Sequence, residues 1–247
     1  MKSEEIKNIV KESYSKIAKN ESSCCTCSCK KNEQEKIAKM IGYSNEELKT
    51  PGNLGLGCGN PIAISKIKEG DVVLDLGSGA GFDCFLASKK VGKLGKVIGV
   101  DMTPEMIERA KSNAKKHSFS NVEFKLGHIE DLPIEDETID IIISNCVINL
   151  SPDKLKVFKE AYRVLKKQGK MYVSDIVLLG DLTNEQKNNP DLIAGCVAGA
   201  VKKDDYLSLI KKAGFKHNIL NEDKEISKKQ YQGINLESIK IEAIKNQ

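Results

Sequence analysis

The spacing of apolar residues changes along the chain, and each change marks a change of architecture. Over residues 2–18, Ile6, Ile9, Val10, Tyr14 and Ile17 recur at helical spacing, which predicts an amphipathic helix. Residues 20–30, NESSCCTCSCK, carry no period and read as a loop, and a short helix is expected around 33–41. TPGNLGLGCGNP, residues 50–61, is punctuated by glycine and proline and reads as another loop. From Asp71 onward, short apolar runs alternate with amphipathic stretches. DVVLDLG (71–77), KVIGVD (96–101), NVEFKLG (121–127), TIDIIISN (138–145) and GKMYVSDI (169–176) predict strands. Residues 83–90, 104–117 and 151–166 predict helices between them. Pro104 and Pro152 fall in first turns, and Ser151 is the expected N-cap of the third helix. After 176 the alternation breaks into an inserted helical segment over 183–200, a helix over 203–213 and weaker strands.

Strands alternating with helices of this length predict an α/β fold. The expected form is a doubly wound, mostly parallel sheet covered on both faces, behind an N-terminal extension of helix and loops. Composition agrees: 247 residues with 40% hydrophobic and 30% charged positions describe a globular chain, not a disordered one. The sequence lacks an apolar run long enough to span a membrane, and its N-terminus is charged and amphipathic. Neither a membrane partner nor a secretory route is expected, and the expected compartment is the cytoplasm. Net charge is only +4, and Arg109 and Arg163 are the only arginines. Dispersed lysines suit a solvated surface better than a phosphate-reading one, so no nucleic-acid partner is expected.

Eight cysteines are the unusual feature: Cys24, Cys25, Cys27, Cys29, Cys58, Cys84, Cys146 and Cys196. In a reducing compartment such residues point to metal-binding or catalytic work more than to disulfides. Each alone also fits a small buried apolar residue, the reading preferred for Cys84. Cys146 directly follows a strand at the carboxyl edge of the sheet, Cys58 lies in a glycine-rich loop, and Cys196 lies in the inserted segment. Brought together, these three offer a soft, trigonal, thiolate-only site.

The other chemical signal is the loop Asp75-Leu76-Gly77-Ser78-Gly79-Ala80-Gly81, which ends a strand and opens a helix. Its spacing is G-x-G-x-G, not the dinucleotide form. Asp75 suits a cationic ammonium better than a pyrophosphate. Asp101 ends the next strand, where an acid accepts both hydroxyls of a ribose. Together they fit S-adenosylmethionine, with a nicotinamide oxidoreductase or a plain glycine turn as the alternatives. These residues resemble the nucleoside-methionine loop of the Rossmann-like methyltransferase superfamily over roughly 70–176. The resemblance implies cofactor contacts at Asp75, Gly77, Ser78, Gly79, Gly81, Asp101 and Met102. It puts the adenine beside the Gly127-His128-Ile129-Glu130 segment, with Ile129 and Glu130 as the expected contacts. It turns the strand end at Asn145 toward the methyl group.

Three local sequences narrow the resemblance: Asn53-Leu54-Gly55-Leu56-Gly57-Cys58-Gly59-Asn60-Pro61, Ser144-Asn145-Cys146-Val147-Ile148-Asn149-Leu150, and Gly195-Cys196-Val197-Ala198-Gly199-Ala200. With Val100-Asp101-Met102-Thr103 they resemble arsenite methyltransferase motifs, from the first helix to about Phe215. The resemblance implies three parts: an N-terminal helix with cysteine-bearing loops (1–61), a cofactor-binding core (62–180), and a substrate lid with C-terminal strands (181–247). It implies methyl transfer to trivalent arsenic held by Cys58, Cys146 and Cys196, for detoxification of arsenite and its methylated trivalent products. Cys24 and Cys25 take the place of an N-terminal capture or relay cysteine, while Cys27 and Cys29 have no counterpart. The lone pair of arsenic needs no general base: His117 and His217 are expected at the surface, and His128 on the cofactor side. The pentavalent product needs two electrons from an external thiol or a thioredoxin-like partner. The chain is expected to resemble the shorter microbial members. Other readings are a methyltransferase for another small molecule, such as a quinone precursor, or a non-catalytic thiol-rich metalloid-binding protein.

Overall fold

Strand β1 (Val72–Leu76) sends Val73 and Asp75 to one face of the sheet, and Leu74 and Leu76 to the other. The same alternation in β2 (Lys96–Asp101), β3 (Val122–Leu126), β4 (Ile139–Asn145) and β5 (Leu165–Leu178) builds a separate core on each face. On one side α4 (Phe82–Val91) and α5 (Pro104–Lys116) contribute Cys84, Phe85, Ile107 and Ala110. On the other, α6 (Lys154–Val164) and α9 (Lys203–Lys212) contribute Val157, Phe158, Tyr206 and Ile210. The computed structural model describes residues 3–19, 31–226, 231 and 233–246.

Seven strands form one sheet in the order β3-β2-β1-β4-β5-β7-β6, with β6 (Phe215–Asp223) and β7 (Leu236–Lys245) at its end. β1 to β5 pair in parallel, while β7 runs antiparallel to both neighbours. The expected doubly wound, mostly parallel sheet is thus the fold. The order reverses between β1 and β4, so the carboxyl ends of these two strands open a crevice, the usual ligand position of this fold. Around it lie α1 (Ser3–Ala18), α2 (Lys31–Met40) and α8 (Pro190–Ala194), while α3 (Pro61–Ile64) and α7 (Asn184–Asn188) stand off its lining. No helix among the described residues is long and apolar enough to cross a membrane.

Several local expectations are corrected. Asp153, not Ser151, caps α6, its carboxylate accepting the Lys156 N–H at 2.9 Å. β5 begins directly after α6 because Leu165 pairs with Ile139, although Lys166, Lys167 and Gln168 look loop-like. The inserted segment is two short helices, divided by Asn189 and Pro190: Thr183 caps α7 in a capping box, and Asn189 caps α8. β7 is deeply buried rather than weak. Its charges hid it, and they are paired: Glu237 with Lys203 at 2.9 Å, and Lys245 with the Leu165 carbonyl at 2.7 Å.

Candidate active site

The crevice is a cavity of about 250 Å³ lined by parts of both halves of the chain. One wall is the turn after β1. Asp75, Gly77, Ser78, Gly79, Asp101, Met102, Ile129, Glu130 and Asn145 all lie on the lining. Asp101 organises this wall, accepting the Gly79 N–H at 3.0 Å and the Thr103 N–H at 2.8 Å. The Ser78 hydroxyl is buried without a hydrogen-bond partner among the described residues. A ligand would supply that partner. Two expected contacts lie elsewhere. Gly81 is a packing residue: a Cβ there would stand 2.8 Å from the Phe85 and Phe124 rings. His128 is exposed and off the lining, its backbone bridging to Asp131. His117 is exposed, while His217 is half-buried on β6.

Lys7, Val10 and Tyr14 of α1 cover the cavity from outside. Lys7 pairs with Glu130 at 3.2 Å, and the Ser151 hydroxyl donates to the same carboxylate at 2.8 Å. Tyr14 donates to the Ala194 carbonyl at 3.4 Å, joining α1 to the Cys196 segment.

At the other end of the cavity, Cys58, Cys146 and Cys196 converge from three separate segments. Cys146 follows β4 in a left-handed conformation (φ 57°), and its N–H donates to the Ser174 carbonyl at 2.8 Å. Cys196 is also left-handed (φ 68°), and its thiol donates to the Cys146 carbonyl at 2.6 Å. Such backbone costs about 1–3 kcal/mol for a non-glycine residue and persists where neighbours impose it, often at functional sites. Cys58 is 2% exposed and lies behind Cys146 rather than on the main cavity wall. Its N–H donates to Asn145 Oδ1 at 3.1 Å, and its carbonyl accepts from Ser238 Oγ at 2.9 Å. The flanking glycines make this possible. A Cβ at Gly57 or Gly59 would come within 2.7 Å of Asn145 or Ser174. Cys84 donates to Asp75 Oδ2 at 3.2 Å in the core, away from the other three. Cys24, Cys25, Cys27 and Cys29 lie outside the described residues.

The electrostatics separate the thiols. Hydrogen bonds from Cys196 and then Cys58 pull the Cys146 thiol well below its usual range, against the effect of burial. Burial pushes Cys58 well up, and its hydrogen bond to Cys146 adds to this. Cys146 is therefore the most readily ionised thiol of the cluster, and the ionised form is the one that acts as nucleophile and soft ligand. At the cofactor-loop end, burial raises Asp75 and Asp101. Burial also raises Asp83 to about 6, opposed by hydrogen bonds from Tyr43 and Asn145. Carboxylates held this way favour a ligand that carries positive charge.

Sequence reasoning passed over four residues here. Asp175 is fully buried on β5, with a carboxylate oxygen, Cys58 Sγ and Cys146 Sγ all within 4.8 Å of one another. Tyr231 brings its hydroxyl to 3.9 Å from Cys146 Sγ. Tyr43 donates to Asp83 Oδ1 at 2.6 Å, and both line the cavity. One signal was available: Asp175 interrupts the apolar run of Tyr172, Val173, Ile176 and Val177, and an acid in a central strand is seldom there for stability.

Residues 67–214 match the family model described as a methyltransferase domain. The arsenite methyltransferase of Halobacterium salinarum is 44% identical over 226 residues, covering 86% of this chain and 58% of that protein. The arsenite methyltransferase of Rattus norvegicus is 36% identical over 223 residues, covering 85% of this chain and 59% of that one. The chain thus spans little more than half the length of these curated relatives. Among solved structures, the arsenic (III) S-adenosylmethionine methyltransferase of Chlamydomonas reinhardtii superposes with a TM-score of 0.65 at 35% identity, covering 85% of this chain and 73% of that one. With the glycine turn, the carboxylate wall, Cys146 and Cys196 inside the matched residues and Cys58 just before them, the chain belongs to the methyltransferase-domain family, in the branch of the arsenite methyltransferases.

Proposed function

We propose that this chain transfers the methyl group of S-adenosylmethionine to trivalent arsenic. The observation that carries the reading is the meeting of Cys146 and Cys196 at one end of the cavity, with Cys58 directly behind Cys146, while the other end is the Gly77–Gly79 turn. A small carbon or nitrogen nucleophile would have no use for three thiols there. A metalloid scavenger would have no use for the turn and its carboxylates.

In this reading Asp101 accepts the ribose hydroxyls, Asp75 faces the methionine ammonium, and Met102, Ile129 and Glu130 flank the adenine. Ser78 and Asn145 complete the cofactor contacts. Arsenite exchanges its three hydroxyls for three thiolates, the three thiol protons leaving with the hydroxyls as water. The arsenic lone pair then attacks the sulfonium methyl in a single displacement, releasing S-adenosylhomocysteine. The enzyme contributes mainly by positioning, and the step needs no proton acceptor. Cysteine pairs return pentavalent arsenic to the trivalent state by giving two electrons and forming a disulfide. Cys24 and Cys25 belong to that relay, and a small thiol or a thioredoxin-like protein in the cytoplasm reduces it again. The segment 181–201 covers the substrate.

The test is incubation with arsenite, methyl-labelled S-adenosylmethionine and either glutathione or reduced thioredoxin. Labelled methylarsenicals are expected from the parent and none from Cys146→Ser. Tight S-adenosylhomocysteine binding with no methylated arsenic under either reductant would overturn the reading.

A further inference from the structure

Asp175 has no part in the arsenic chemistry just described, because arsenic(III) takes three thiolates and its fourth direction holds the lone pair. Yet Asp175 is fully buried at the cluster. Its carboxylate is fixed by three donors: Asn149 Nδ2 at 2.8 Å and the Ile176 N–H at 2.9 Å on Oδ1, and the Tyr206 hydroxyl at 2.9 Å on Oδ2. Outer hydrogen bonds of this kind orient the carboxylate ligand of a metal site. Two thiols and one such carboxylate, all within 4.8 Å of one another, form the donor set of a borderline divalent cation.

We propose that Cys58, Cys146 and Asp175 form a Zn²⁺ site that overlaps the arsenic site and excludes arsenite when filled. Zinc–sulfur bonds of about 2.3 Å and a zinc–oxygen bond of about 2.1 Å at tetrahedral angles put the sulfurs roughly 3.8 Å apart and each roughly 3.6 Å from the oxygen, so donors within 4.8 Å of one another need to close by little more than about 1 Å. Each zinc bound displaces the two thiol protons to solvent. The fourth position faces the main cavity, which Cys146 lines, and water fills it. Cys196 is not one of these three donors: its thiol donates to the Cys146 carbonyl and hydrogen-bonds the Cys146 thiol from beside the set. The two ligands therefore take different third donors: arsenic takes the Cys196 sulfur and not Asp175, whereas zinc takes the Asp175 carboxylate and not the Cys196 sulfur. Zinc carries no lone pair for a methyl group, so it is a competitive, unreactive occupant.

The experiment uses the full chain with Cys24, Cys25, Cys27 and Cys29 replaced by serine, which removes competing thiols. Zn²⁺ is titrated against a chromophoric chelator, and Co²⁺ substitution reports the thiolate count from its visible spectrum. One zinc per chain and a two-thiolate cobalt spectrum are expected. Asp175→Asn keeps the shape and can still meet Tyr206, so it should weaken zinc roughly tenfold or more. Its arsenite binding, read as protection of thiols from alkylation, should stay within about twofold of the parent. Cys196→Ser keeps a hydroxyl that can hydrogen-bond Cys146, so it should weaken arsenite far more than zinc. Absence of stoichiometric zinc in the parent, unchanged zinc affinity in Asp175→Asn, or equal loss of both ligands would each overturn the proposal. The zinc titration is read without arsenite or cofactor, so its outcome is independent of whether arsenite is methylated.

Discussion

Asn145 accepts the Cys58 N–H at 3.1 Å and donates to the Gly59 carbonyl at 2.9 Å, joining two segments 87 positions apart. The same side chain reaches the Tyr43 hydroxyl at 3.0 Å and Asp83 Oδ2 at 3.2 Å. One amide thus ties the deepest cysteine to the carboxylates of the cofactor-loop end. Asn145→Ala leaves these partners unsatisfied, which should cost about 2–4 kcal/mol of stability. It should also weaken arsenite binding by releasing the Cys58 loop. Urea unfolding and thiol protection, measured on one preparation, check this. A destabilised variant with full arsenite affinity would show that Cys58 is held by Ser238 alone.

The glycine turn divides in two. Gly79 (φ 51°) faces open space, with nothing within 4 Å of a Cβ, on the cavity wall. Gly79→Ala should cost only about 1–2 kcal/mol of backbone strain but place a methyl group in the cofactor's path. Gly81 (φ 94°) would drive a Cβ to 2.8 Å from two phenylalanine rings. Gly81→Ala should lose about 2 kcal/mol or more, with little specific effect on affinity. Calorimetry with S-adenosylhomocysteine beside thermal melts separates the two outcomes. Comparable affinity loss in both variants would place Gly81 on the cofactor after all.

Asp83 gives the protein without ligand a pH dependence of definite sign. Its carboxyl is raised from 3.8 to about 6, chiefly by burial. The unfolded chain therefore ionises before the folded one as pH rises. Below about pH 4 both forms are protonated and the group is neutral to stability. Between about pH 4 and 6 stability falls, and above that the folded state carries the full cost, roughly 3 kcal/mol. Asp83→Asn should flatten this part of the profile and be the more stable form at pH 7. A stability curve with the same slope in both proteins would assign the dependence elsewhere.

The parallel sheet was legible because buried strands such as Val72–Leu76 and Ile139–Asn145 are short apolar runs separated by amphipathic helices. β7 was not, because Glu237, Glu242 and Lys245 find partners that only the folded chain supplies. Cys58, Cys146 and Cys196 were identifiable as candidates from their local sequences. Their relative placement was not, since it depends on Asn145, Ser238 and two left-handed backbones. Asp175 and Tyr231 reach the cluster through sheet register and a late loop, neither of which carries a sequence motif.

That placement sets a division of labour among the thiols. From sequence, Cys58 is known only to lie in a glycine-rich loop. In the fold it is anchored behind Cys146, while Cys146 and Cys196 face the cavity. In the proposed reaction the lowered Cys146 thiol is the first to meet an incoming arsenical. Inorganic arsenite has three exchangeable positions and can reach inward to Cys58 as well. A monomethylated trivalent arsenical has one position filled by carbon, so Cys146 and Cys196 suffice to hold it. Cys58→Ser should therefore lose most methylation of arsenite. It should keep much of its activity on the monomethylated trivalent substrate, provided a strong external reductant replaces any disulfide it would have formed. Cys146→Ser should lose both activities. Side-by-side assays under excess dithiol decide it: equal loss on both substrates in Cys58→Ser would mean that all three thiols are needed throughout, and that the methylated arsenical turns in the site to reach the inner sulfur.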